Sequence, residues 1–190
     1  MAERIGVGLP EGVDLVQHGS HIEIILKWFS WKVVGLTAFA LFWDGFLINW
    51  YVNLAPRMKD PMAFYFPLLH VAVGLGITYY VVAGWFNRTR ILVGSGRLTV
   101  RHSPLPWFGN TEIDSSTLTQ LYTQERVTHS RRGPSYSRFE VRAVTQDGRN
   151  TKLVGGLETS EQALSIEQEV EKRLGLRDVP VAGQMRDYWS

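Results

Sequence analysis

The sequence predicts an α+β membrane protein. A two-helix transmembrane hairpin is joined to an antiparallel β-barrel or sandwich that a C-terminal helix caps. Three observations carry this prediction. Two stretches, 33–54 and 61–87, hold a single charged side chain between them, Asp44. Beyond Asn87 the apolar runs become short and alternate with polar residues, the period-two pattern of half-buried strands. Near the C-terminus a helix-capping pattern opens an amphipathic stretch.

The averages conceal this division. The chain has 190 residues, a formal net charge of +2, seven Trp and no Cys. Its mean hydropathy, close to zero, would suit an ordinary soluble protein. The lack of Cys excludes disulfides, thiolate metal sites, Fe–S clusters and Cys nucleophiles. The small net charge does not point to nucleic acid. Five of the seven Trp lie between residues 28 and 85.

Each element follows in chain order. Within the N-terminal segment 1–27, His21–Leu26 partly alternates and is expected to form a strand that joins the later sheet. A helix needs about 20 mostly apolar residues to cross ~30 Å of hydrocarbon, and both spans of the 28–87 hairpin (about 33–54 and 62–86) are long enough. Amphipathic rings favour the headgroup level. Trp28 and Trp31 precede the first span, Trp50 and Tyr51 close it, and Trp85 ends the second. The connector 55–60 is too short for anything but a tight turn, so both ends of the chain lie on one side. Lys27, Lys32, Arg88 and Arg90 flank that side, against Arg57 and Lys59 in the connector. By the positive-inside rule both termini are cytoplasmic. The first span starts too late and is too long for a cleaved signal peptide.

In 88–176, Ile91–Val93 and Leu98–Val100 flank the turn Gly94-Ser95-Gly96, which reads as a hairpin. Phe108–Ile113, Leu118–Thr128, Tyr136–Thr145 and Lys152–Leu157 read as further strands. Thr159 and Gln162 fit a capping box, Ala163, Ile166, Val170 and Leu174 share one helical face, and Gly175 is a natural stop. Glu167, Glu169 and Glu171 are expected on the wet face. The tail 177–190 is expected to be extended or loosely docked.

Six or seven antiparallel strands followed by one helix is the element order of a pleckstrin-homology-like (PH-like) barrel. The runs Asn87-Arg-Thr-Arg-Ile91, Arg97–Trp107, Gln120-Leu-Tyr122 and Glu161–Val170 resemble a group of uncharacterised bacterial membrane proteins. Trp28-Phe29 and Leu41–Phe46 join the resemblance, which covers most of 15–176. Those proteins pair two transmembrane helices with a bacterial PH-like domain. Some carry an N-terminal zinc ribbon, which this Cys-free chain lacks. The resemblance implies a fold and a location in the bacterial inner membrane, and no known activity.

Several residues stand out chemically. Asp44 sits at mid-span, where a carboxylate costs a few kcal/mol and is rarely decorative. His70 lies at a similar depth, so an Asp44–His70 contact is geometrically allowed. Three readings stay open: a polar clamp within the hairpin, a contact to a partner, or proton chemistry, with the clamp preferred. Asn49 is grouped with them as an intramembrane polar residue. A lone intramembrane His can also ligate a tetrapyrrole, but a bis-His haem needs a second, which the spans lack. No cofactor and no metal are expected otherwise. Gly45, Ala72, Gly74, Gly76 and Thr78 supply small side chains for close helix approach. Residues 88–142 carry nine Lys/Arg against four Asp/Glu, including Arg88, Arg90, Arg131 and Arg132, which suits anionic lipid. No catalytic set emerges. The expectation is a non-enzymatic accessory or scaffolding subunit of a larger membrane complex, with a respiratory or photosynthetic host admitted. The alternative is a free-standing membrane sensor or anionic-lipid-binding module.

Overall fold

A computed structural model describes residues 10–128 and 135–176. They form an α+β structure in two compact units, one made of 28–87 and one of the segments on either side of it.

The 28–87 unit is an antiparallel helical pair. Helix α1 (Trp31–Asn49) runs on through a π turn (Trp50–Leu54) and a 3-10 turn (Ala55–Arg57), and a short helix α2 (Met62–Tyr65) leads into α3 (Leu68–Phe86). Proline explains both irregularities. Pro56 has no N–H to donate and its ring crowds the preceding turn, and here the Ala55 amide reaches back five residues to the Trp50 carbonyl. Pro67 separates α2 from α3 in the same way. Despite these breaks, 31–57 (27 residues) and 62–86 (25 residues) are each long and apolar enough to cross a membrane. Most of their apolar side chains are exposed, among them Leu41, Phe42, Ile48, Leu69 and Leu75. The helices meet along Val33, Thr37, Ala40, Asp44 and Leu47 of α1 and His70, Gly74, Ile77, Val81 and Gly84 of α3, all at least partly buried. The alternating spacing of four and three is that of a coiled-coil seam.

The flanking segments form one domain of eight strands and one helix. One sheet has the order β1-β2-β3-β4-β5: β1 (Val13–His18), β2 (His21–Lys27), β3 (Arg88–Gly94), β4 (Arg97–Ser103) and β5 (Thr111–Asp114). The other has the order β6-β7-β8: β6 (Leu118–Thr128), β7 (Tyr136–Thr145) and β8 (Asn150–Leu157). All pairings are antiparallel. The segment expected to extend the sheet is β2, and it pairs with β3 with Lys27 opposite Arg88. The β3–β4 turn places Ser95 and Gly96 at φ 51° and 76°, the two left-handed residues that a tight type I′ hairpin needs.

Several expectations need correction. The strands make two open sheets, not a closed barrel: β5 has four residues, and a 3-10 turn (Ser115–Thr117) capped by Asp114 turns the chain into the second sheet. Strand β1 was not anticipated, because Val13–His18 carries charge at Asp14 and does not alternate cleanly. Phe108 lies in a loop, not a strand. Gly109, at φ 96°, and Asn110, whose side chain accepts from the His102 amide, delay β5 until Thr111.

Helix α4 (Ser160–Leu174) packs chiefly on β6 and β7, with its stripe Ala163, Ile166 and Val170 in a core shared with Ile24, Ile91, Leu98, Leu121 and Val141. Thr159 caps it, accepting from the Gln162 amide, and Gly175 ends it in a left-handed turn. The Gln162 side chain accepts from the Glu158 amide, one residue before the position a capping box uses. Glu167 and Glu171 are not on a wet face: they are 4% and 2% exposed. They follow Ala163 at successive four-residue steps, so they border the buried stripe instead of opposing it.

Candidate functional site

The sequence-selected polar residues Asp44, His70 and Asn49 all lie in the 28–87 unit, but each meets different neighbours. Asp44 is held by Thr78, whose hydroxyl donates to Oδ2 at 2.6 Å. Gly74 makes this approach fit, because a Cβ there would lie 2.8 Å from Asp44 Oδ1 and 3.1 Å from Trp43 Cδ1. The Asp44–His70 contact is not made. His70 instead lies between Trp43 and Phe66, each with ring centroids 5.8 Å away, and its buried Nδ1 has no hydrogen-bond partner. Both residues lie on the seam, but Asp44 faces Gly74 and Thr78, one and two helical turns beyond His70, so the two are not level.

Four aromatic donors stitch the pair from end to end. The Trp43 indole donates to the His70 carbonyl at 3.2 Å, Trp50 to the Ala63 carbonyl at 3.0 Å, the Tyr51 hydroxyl to the Phe64 carbonyl at 3.0 Å, and Trp85 to the Thr37 hydroxyl at 2.9 Å. The Ala63 bond has a clear cause. In a continuous helix that carbonyl accepts from residue 67, which here is proline. Trp50 supplies the missing donor, and an unmet carbonyl in an apolar setting is costly. Sequence reading assigned Trp50, Tyr51 and Trp85 to the lipid interface and missed their bonds. The signal was present in the four–three spacing of 33, 37, 40, 44 and 47, which fixes which faces meet.

The small residues divide into two groups. Gly74 and Gly84 are used within the pair: a Cβ on Gly84 would lie 2.8 Å from Val33 Cγ2, too close to fit without a shift. Gly35, Gly45 and Gly76 have nothing within 4 Å of such an atom, and Ala72 is exposed. Asn49 is exposed and accepts from the Asn53 side chain at 2.8 Å. At one end of the pair Phe29 stacks near Trp85 and Trp31, with centroid distances of 4.9 and 6.4 Å, and Trp28 is half-buried.

In the β-domain most basic side chains are answered by acids. Arg90 meets Glu23 at 3.4 Å, Arg97 meets Glu112 at 2.7 Å and Arg138 meets Glu158 at 3.1 Å. Glu140 is buried between Arg142 and Arg126, and its hydrogen bond raises the Arg142 pKa. Burial lowers that of His102, whose ring contacts the Thr89 hydroxyl at 2.9 Å. The Asp147 carboxyl is pulled down to about 2, first by the Thr145 hydroxyl and then by Arg149. Asp114 is lowered likewise by Ser116. Arg88 and Arg101 make no ion pair among the described residues. Arg131 and Arg132 lie outside them. No group of His, Asp or Glu among the described residues has the arrangement of a metal site. No protein-family model and no curated protein matches the chain.

Proposed function

We propose that this chain is a non-catalytic, multi-pass protein of the bacterial inner membrane, with both termini cytoplasmic, and that it serves as an accessory or scaffolding subunit of a larger membrane complex. The observation that carries this reading is the outer surface of the helix pair. It is apolar nearly all round, yet notched at Gly35, Gly45 and Gly76, where none of the described residues fills the space. In lipid, helices associate through close packing at small residues and through polar side chains, and Asn49 adds an exposed amide. Asp44, committed to Thr78, serves as an internal clamp in this reading. The two-sheet domain and its packed helix support the PH-like assignment, with the barrel left open.

Extraction in mild detergent followed by native-gel sizing and mass spectrometry tests the proposal. A sharp high-mass band with stoichiometric partners is expected. A monodisperse species near the 21.6 kDa of the single chain would overturn it. The second reading, an anionic-lipid-binding module, is favoured by Arg88 and Arg101, which make no ion pair among the described residues.

A further inference from the structure

Within the five-stranded sheet, register places an apolar loop at a particular end. Lys27, Arg88 and Ser103 sit side by side as the last row of β2, β3 and β4. The chain then runs from Ser103 into the loop 104–110, Pro-Leu-Pro-Trp-Phe-Gly-Asn. The loop's base is tied down: the His102 amide donates to the Asn110 side chain at 2.8 Å, and the Thr111 hydroxyl donates to the Gly109 carbonyl. At its tip Trp107 is half-buried and Phe108 is exposed. Phe108 is 90% exposed, the most exposed large apolar side chain in the described structure, and Trp107 lies beside it with ring centroids 6.5 Å apart.

The same end is basic. Two rows further in, Arg90 sits opposite Arg101, so the last three rows hold Lys27, Arg88, Arg90 and Arg101; Lys27 is paired with Asp14 at 2.9 Å and Arg90 with Glu23 at 3.4 Å, and Arg88 and Arg101 have no ion pair among the described residues. Chain connectivity limits how far this end can lie from the end of α3. Arg88 is two residues beyond Phe86, the last residue of α3, which limits their separation to ~7 Å, less than the ~8 Å over which charge is felt at physiological salt. Ser103 is one strand spacing, ~5 Å, from Arg88. Phe108 is five residues beyond Ser103, a reach of at most ~17 Å.

We propose that the 104–110 loop is a third membrane contact, distinct from the two spans: Phe108 and Trp107 enter the headgroup–acyl boundary of the cytoplasmic leaflet, and Arg88 and Arg101 engage anionic headgroups beside them. This rests on the reading of 31–57 and 62–86 as bilayer-spanning. Aromatic rings prefer that depth, and each juxtamembrane cation there gains from anionic lipid. A protein partner for the loop is the competing outcome.

The test exploits the absence of native Cys. Single-Cys variants of the full chain, Phe108→Cys, Leu75→Cys and Ser95→Cys, are labelled with an environment-sensitive fluorophore. They are then reconstituted in phosphatidylcholine–phosphatidylglycerol vesicles. Leu75 lies on the exposed side of α3, and Ser95 at the opposite tip of the β3–β4 hairpin. Position 108 should be blue-shifted and quenched more by spin labels high on the acyl chain than by labels near its end. Position 75 should be quenched at depth, and position 95 by aqueous iodide alone. Iodide quenching at 108 with 75 still quenched by lipid overturns the loop contact and spares the spans. A blue shift at 108 without lipid quenching overturns it in favour of protein cover. Water access at 75 overturns the spans, and the loop contact with them.

Discussion

At the scale of single residues, glycine positions separate contacts made inside the chain from surface left open. Gly74→Ala forces a methyl to 2.8 Å from the Asp44 carboxyl, so Asp44 or the helix must move. Overpacking of this kind costs ~1–3 kcal/mol, and thermal unfolding in detergent should show it. Gly76→Ala meets nothing within 4 Å, so the isolated chain should keep its melting temperature. Equal effects from both variants would contradict the packing described here. Asp44 and Gly74 were visible in the sequence as a mid-span carboxylate and a small residue. That Thr78, not His70, answers Asp44 was not legible, because residue counts from the connector give depth only to within about a turn, and the packing of Gly74 on Asp44 and of Gly84 on Val33 sets a register that leaves His70 one turn away.

At the scale of elements, the break before α3 is coupled to an indole on the opposite strand of the hairpin. Trp50→Phe leaves the Ala63 carbonyl without its donor, at a cost of ~1–3 kcal/mol. Pro67→Ala restores an N–H to the helix ladder, so the Trp50→Phe penalty should shrink in that background. A double-mutant cycle on detergent-unfolding free energies measures this coupling, and additive effects would refute it. The sequence located the spans and most strands, because long apolar runs and clean alternation report burial directly. It failed where the buried face is mixed. Glu167 and Glu171 look wet by charge although they lie four and eight residues from Ala163, and Phe108 looks like a strand residue because an exposed aromatic mimics a buried one. The two open sheets were hidden for a different reason: closure depends on which edges pair, and no local pattern encodes that.

At the scale of the whole molecule, the helix pair is an insertion within the β-domain: β2 precedes it, β3 follows it, and the two are neighbours in one sheet. Under the proposed topology a phosphatase fused to the C-terminus should be inactive and a fluorescent protein fused there should be bright; the opposite pair of results would invert the orientation. The β2–β3 pairing has a consequence during synthesis. Leu26 waits for Thr89 until all 60 residues of 28–87 have left the ribosome. If only one helix threads the bilayer, β2 and β3 emerge in different compartments and the sheet can never assemble. Correct double threading is thus a precondition for the domain to exist at all. Under the proposed topology the sheet thereby acts as a proofreading step, leaving misinserted copies unfolded and open to proteolysis.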